Sequence, residues 1–149
     1  MDLTHRDTLL AELATLDDSM WKELGEQAVA VSDHAYIPAS AFPVGAALLT
    51  AKGAVVGGCN VENGSYGLTV CAERTAVFSA VANEGPTMQI MRIAVYGTAF
   101  TTSPCGACRQ VIAEFAGPDT PVLFVEEGHW KVHLLSDLLP IPFVFSRGK

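Results

Sequence analysis

The order of apolar and polar positions divides the chain into short alternating elements. Leu3 to Leu16 reads as a short, optional helix. Asp17-Asp18-Ser19 then supplies N-cap candidates for a second helix to about Asp33, with Leu24, Ala28 and Val31 at helical spacing. Pro38 and Pro43 bracket a loop. Val44 to Thr50 and Ala54 to Cys59 are apolar runs separated by Ala51-Lys52-Gly53, which predicts a hairpin. Cys71 to Asn83 predicts a buried helix, stopped by Gly85 and Pro86, and Ile90 to Gly97 a third strand. Ser103-Pro104 can cap and open the next helix, which runs to about Phe115. Pro121 to Val125 predicts a fourth strand, His133-Leu134 a short fifth, and Ser136 to Leu139 one helical turn. Strands alternating with helices in the second half predict a layered α/β domain with parallel pairings. No repeat, low-complexity tract or linker divides the sequence, so one domain over residues 1–149 is expected, with 1–16 an N-terminal extension.

Composition adds a surface argument. Charged residues make up 17% of the 149, well below the ~25% usual for soluble domains. Such a chain has more uncharged surface than a small monomer needs, and burial between subunits is its simplest use. Net charge is −7, and the nine basic residues are scattered along the chain. Polynucleotide binding draws most of its affinity from Lys and Arg set against phosphates, so no nucleic-acid partner is expected. The N-terminus carries acidic residues where a signal peptide needs positive charge. The longest stretch without charge, Ala35 to Ala51, holds Pro38, Pro43 and Gly45, which argue against a membrane helix. The expectation is a cytoplasmic protein whose four cysteines are thiols or metal ligands.

Two segments carry candidate chemistry: Cys71-Ala72-Glu73-Arg74, and Ser103-Pro104-Cys105-Gly106-Ala107-Cys108-Arg109-Gln110. Cys105 and Cys108 are three apart, so on a helix they share a face and can grip one ion. Cys71, at a neighbouring helix start, is the candidate third ligand. Three thiolates leave one tetrahedral position open, as a catalytic zinc site requires. A lone C-x-x-C can also be a redox pair, half a zinc knuckle or two buried thiols. A closed structural site needs a fourth ligand, and Cys59 is the only spare cysteine; its place at a strand end suits a small buried hydrophobe instead. Glu73, two residues past Cys71, can reach a water at the metal without binding the ion; alternatively it is a first-turn residue favoured by the helix dipole. Three thiolates and Zn²⁺ sum to −1, which makes a bound water less acidic. Helix N-termini at Cys71 and Cys105 offset that charge, and Arg74 can donate to the sulfurs or serve as an ordinary helix ion-pair residue.

With Cys71 in the first ligand position, these segments reproduce the H-x-E…P-C-x-x-C frame of zinc deaminases. From about Asp18 to Phe143 the chain resembles the small homotetrameric cytidine deaminases. The resemblance is carried by Phe42-Pro43-Val44-Gly45-Ala46-Ala47-Leu48-Leu49, Gly58-Cys59-Asn60-Val61-Glu62-Asn63, the two cysteine segments and Leu138-Leu139-Pro140, in that order. It implies a three-layer α/β/α fold with a mixed, about five-stranded sheet, one Zn²⁺ per chain and a homotetramer. It further implies that Asn60 and Glu62 hydrogen-bond the ribose 3′-hydroxyl, that Phe42 packs on the pyrimidine, and that Phe143 completes a neighbouring subunit's site. The main chains around Ala72, Ser103 and Pro104 would meet the polar edge of the base and the leaving ammonia, with Gly64 and Tyr66 toward the 5′ side. Ala39 and Gly64 depart from the family's usual tyrosine and alanine.

The reaction so implied is hydrolytic deamination of cytidine or 2′-deoxycytidine to uridine or 2′-deoxyuridine. A zinc-activated water attacks C4 while Glu73 moves its proton to N3 and then to the departing amine. Three rivals remain: a deaminase of another cytosine nucleoside such as a nucleoside antibiotic, a non-catalytic zinc-binding interaction module, and a polynucleotide editor, which the charge disfavours.

Overall fold

Each apolar run read as a strand is one, and all five strands join a single sheet in the computed structural model, which describes residues 3–145. Along the chain come α1 (Leu3–Ala14), α2 (Ser19–Ser32), β1 (Val44–Thr50), β2 (Val55–Cys59), a 3₁₀ turn (Tyr66–Leu68), α3 (Ala72–Glu84), β3 (Ile90–Gly97), α4 (Gly106–Phe115), β4 (Pro121–Glu126), β5 (His129–Leu134) and α5 (Leu135–Leu138). The strands lie in the order β2-β1-β3-β4-β5. Only β3 and β4 pair in parallel; the other three pairings are antiparallel, so the sheet is mixed.

Period-two alternation in the central strands builds the three layers. Ala46 and Leu48 of β1, Ile93 and Val95 of β3, and Val122 and Phe124 of β4 pack against Ala76, Val77 and Ala80 of α3, Ile112 of α4 and Leu135 of α5. Their neighbours Ala47, Ala94, Tyr96, Leu123 and Val125 face the opposite way. They meet Leu24, Ala28 and Val29 of α2 and Leu9 and Leu13 of α1. With both faces covered, β1 and β3 read as nearly continuous apolar runs.

Several local expectations need correcting. The helix after β3 starts at Gly106 rather than Ser103, with Cys105 as its N-cap. Ser103-Pro104 instead lies in the irregular segment that precedes the helix. β5 runs over six residues, not the two predicted, because polar His129, Lys131 and His133 break its apolar run while Val132 and Leu134 stand exposed. Cys59 is half-buried rather than sequestered. Helix α1 is not optional: Leu9 and Leu13 are fully buried, Trp130 Nε1 donates to Leu9 O, and Arg6 pairs with Asp33. Residues 1, 2 and 146–149 of the expected single domain lie outside the described residues.

Candidate metal centre

Two crossovers bring the cysteine segments together. α3 enters the sheet from the β2 side, and α4 follows β3; the two helices pack side by side over one face. Cys71 and Cys105 occupy the N-cap positions of α3 and α4, both with extended backbone and neither using its side chain as a cap. Cys108 lies in the first turn of α4 and is fully buried. Their three sulfurs lie within 4.8 Å of one another, with Cys71 Sγ and Cys105 Sγ 4.0 Å apart. A tetrahedral zinc with ~2.3 Å bonds needs sulfurs about 3.8 Å apart, so this set can close on one ion with small adjustments. Cys59 is not part of the cluster, and neither are His5, His34, His129 and His133.

The electrostatics of the donor set fit a divalent cation. The Cys71 thiol is lowered to about 5, first by hydrogen bonding from Cys108, then by Arg74, whose Nη2 lies 3.5 Å from Cys71 Sγ. The Cys108 thiol is pushed up, by donating to Cys71 and by burial beside Glu73. Ionisation of Cys71 is thus favoured at the expense of its neighbour Cys108. A doubly charged ion removes that conflict. The Arg74 guanidinium is held charged by sulfur, which favours the charge-offsetting role over an ordinary helix ion pair. The carboxyl of Glu73, 4% exposed, is raised to about 7, chiefly by burial, with the negative charge of Cys71 adding to the rise and Arg74 opposing it. Glu73 thus lies within electrostatic reach of Cys71 and Arg74, the groups of the cluster itself.

The strand-end residues approach from β2. Gly58 permits this: a Cβ there would sit 2.7 Å from Ala72 O and against the backbone of Ala76, so β2 runs tight along the first turn of α3. Asn60 Nδ2 donates to Phe42 O at 2.9 Å, and its Oδ1 accepts from Val44 N at 2.9 Å. The Glu62 carboxylate accepts from Ala39 N at 2.7 Å and from Ser40 N; the Ser40 side chain first, and then these main-chain donors, hold it below the usual carboxylate range. Tyr36 is bonded to both strand-end residues through the main chain. Asn60 and Glu62 therefore hold the 36–44 loop, a structural task their sequence does not announce. Phe42, at the end of that loop, is half-buried.

Ala72 is buried at the start of α3, and Pro104 is buried beside an exposed Ser103. Arg109 Nε donates to Pro104 O at 2.8 Å and its Nη1 to Leu138 O at 2.8 Å. Gly64 and Tyr66 are exposed, Phe143 is 74% exposed, and none of these three is in the cluster. Nothing in the local sequence assigns Arg109 or Gln110 a role. Their contacts span about thirty residues, which no local spacing could reveal.

The family described as "Cytidine and deoxycytidylate deaminase zinc-binding region" matches residues 19–124. A cytidine deaminase of Sporosarcina psychrophila is 46% identical over 112 residues, 74% of this chain and 82% of that protein. The crystal structure of cytidine deaminase from Burkholderia pseudomallei superposes with a TM-score of 0.75 at 49% identity, covering 81% of this chain and 97% of that one. A blasticidin-S deaminase of Bacillus cereus is 33% identical over 107 residues, 67% of this chain and 76% of that protein. The matched span contains both cysteine segments and the buried carboxyl between them, and the chain belongs to the zinc-binding cytidine and deoxycytidylate deaminase family.

Proposed function

We propose that this protein hydrolyses cytidine and 2′-deoxycytidine to uridine and 2′-deoxyuridine with release of ammonia, in pyrimidine salvage. The observation that carries this reading is a buried glutamate set against three converging cysteine sulfurs at two helix N-termini. Cys71, Cys105 and Cys108 would hold one zinc, which supplies a water made acidic enough to lose a proton near neutral pH. Glu73 accepts that proton and delivers it to N3 as oxygen bonds to C4. It then takes the hydroxyl proton and gives it to the amino group, so that the C4–N4 bond breaks and ammonia leaves. Arg74 offsets thiolate charge.

Around that centre, the main chains of Ala72, Ser103 and Pro104 meet the polar edge of the base, and Phe42 packs on its face. Asn60 and Glu62 hold the 36–44 loop and keep free capacity for the ribose 3′-hydroxyl, since an amide and a carboxylate each accept or donate beyond the bonds already made. Gly64 and Tyr66 lie toward the 5′ side. Phe143 acts in a neighbouring subunit of a homotetramer, supported by its exposure and by the apolar surface of Tyr36, Tyr66, Leu68 and Phe78. Residues 1–149 form one catalytic domain in which α1 is a packed element. Among the described residues no helix is long and apolar enough to cross a membrane; a cytoplasmic location is part of this proposal.

The likeness to a blasticidin-S deaminase supports one other reading, a nucleoside antibiotic as substrate. Ammonia release from cytidine, deoxycytidine, 3′-deoxycytidine and blasticidin S separates the two. Turnover of cytidine with strong loss on removing the 3′-hydroxyl is the expected result. Turnover of blasticidin S alone would transfer the assignment to the antibiotic. Zinc binding without any ammonia release would leave only an interaction module.

A further inference from the structure

From the last residue of α5 the chain turns back across α4 and is fastened there at two points. Arg109 Nη1 bonds to Leu138 O, and the Gln110 side chain meets the main chain of Phe143 twice. Its Nε2 donates to the Phe143 carbonyl at 2.8 Å, and its Oε1 accepts the Phe143 N–H at 3.0 Å. This is the paired N–H and C=O exchange that one strand residue offers another, made here by a side-chain amide. Two bonds to one residue fix where its backbone lies and how it is rotated. The residue, meanwhile, is left 74% exposed. Ordering a backbone costs conformational entropy, and here the ordering shields little of the residue's surface. The cost is understandable if the ring is being held for use elsewhere. Gln110 is also two residues past Cys108, so the helix that carries two sulfurs of one site grips the arm that leaves it.

We propose that Gln110 is a positioning residue: it presents the Phe143 ring to the neighbouring subunit's substrate site and so strengthens binding in a site other than its own. This rests on the reading that Phe143 acts in trans. Without the clamp, the segment beyond Pro140 must be ordered each time substrate binds, and that cost enters KM rather than kcat.

Gln110→Ala should raise KM for cytidine about three- to tenfold, the range expected for two exposed hydrogen bonds. Zinc content and Tm should stay at the parent values. The double variant Gln110→Ala/Phe143→Ala should bind no more weakly than Phe143→Ala, because both changes remove one ring from the site. The deciding measurement is co-expression of Glu73→Ala chains with either Phe143→Ala or Gln110→Ala chains. A site with intact Glu73 from the second chain then receives its aromatic arm from the first, whose Gln110 is also intact. Both mixtures should recover a population of sites with the parent KM. Recovery with Phe143→Ala but not with Gln110→Ala would place Gln110 in its own subunit's site and overturn the proposal while leaving Phe143 in trans. Recovery with neither would overturn the trans reading and the proposal with it. An unchanged KM in Gln110→Ala would also overturn the proposal.

Discussion

At the scale of single residues, the decisive group is a carboxyl that is nearly inaccessible and sits against sulfur. Glu73→Gln keeps its volume and one acceptor but cannot take a proton. The variant should bind one zinc per chain and melt with the parent, while kcat falls at least a thousandfold, because two proton transfers depend on one group. Metal analysis and steady-state kinetics on the same preparation check both halves; a loss under about tenfold would move the acid–base role elsewhere. Cys71, Glu73, Cys105 and Cys108 were legible in the sequence because their geometry is local. Each sits within a turn of a helix start, where spacing along the chain fixes spacing in space. Asn60 and Glu62 were only half legible. Their resemblance to nucleoside-binding positions was visible, but their bonds to Phe42, Val44, Ala39 and Ser40 depend on a loop that returns from about twenty residues away.

Among the elements, α1 departs most from its reading. Its sequence reads as a short, optional helix within an N-terminal extension. What fixes it is long-range: Trp130 of β5 donates to Leu9 O, Trp130 N donates to Glu12, and Arg6 forms two bonds with Asp33 beyond the end of α2. Hydrogen bonding from Arg6 holds the Asp33 carboxyl below its ordinary range. A carboxyl with a depressed folded pKa contributes stability above its unfolded pKa of ~3.9 and loses it as pH falls through the folded value. Asp33→Asn should therefore cost about 0.5–1 kcal/mol at pH 7, the value of a half-exposed pair. Its difference from the parent should narrow on the acid side of pH 4. Urea unfolding of both proteins between pH 7 and pH 3 tests this, and a difference independent of pH would remove the ion pair from the account. β5 was under-read for a related reason. The hairpin that starts it turns at Glu127 and Gly128, both at positive φ, a geometry that Asn-Gly signals clearly and Glu-Gly does not.

For the whole molecule, a low charge fraction and a run of exposed Tyr36, Tyr66, Leu68, Phe78, Ile141 and Phe143 point the same way. The expected solution species is a tetramer of four times the 15.8 kDa chain mass, measured by sedimentation equilibrium at the concentrations used for kinetics. A fully active monomer would leave the exposed aromatics unexplained and place Phe143 in no site at all. Composition could suggest assembly, but it could not say which surfaces meet. On the reading proposed above, that depends on the segment around Phe143, which α4 holds through Gln110.

The cysteine centre also acts on the topology of the chain. Cys71 and Cys105 are 34 residues apart, and the segment between them contains all of α3 and β3. An ion gripping both is a cross-link that closes this segment into a ring and reduces the freedom of the unfolded chain, much as a disulfide of that span would. Zinc in this protein is then a staple as well as a reagent, tying the central strand of the sheet to the helices on either side of it in sequence. Chelation should lower Tm in Glu73→Gln, which has no turnover to lose, by as much as in the parent protein. Calorimetry with and without chelator would show it, and an unchanged Tm would mean that the fold closes this ring without help.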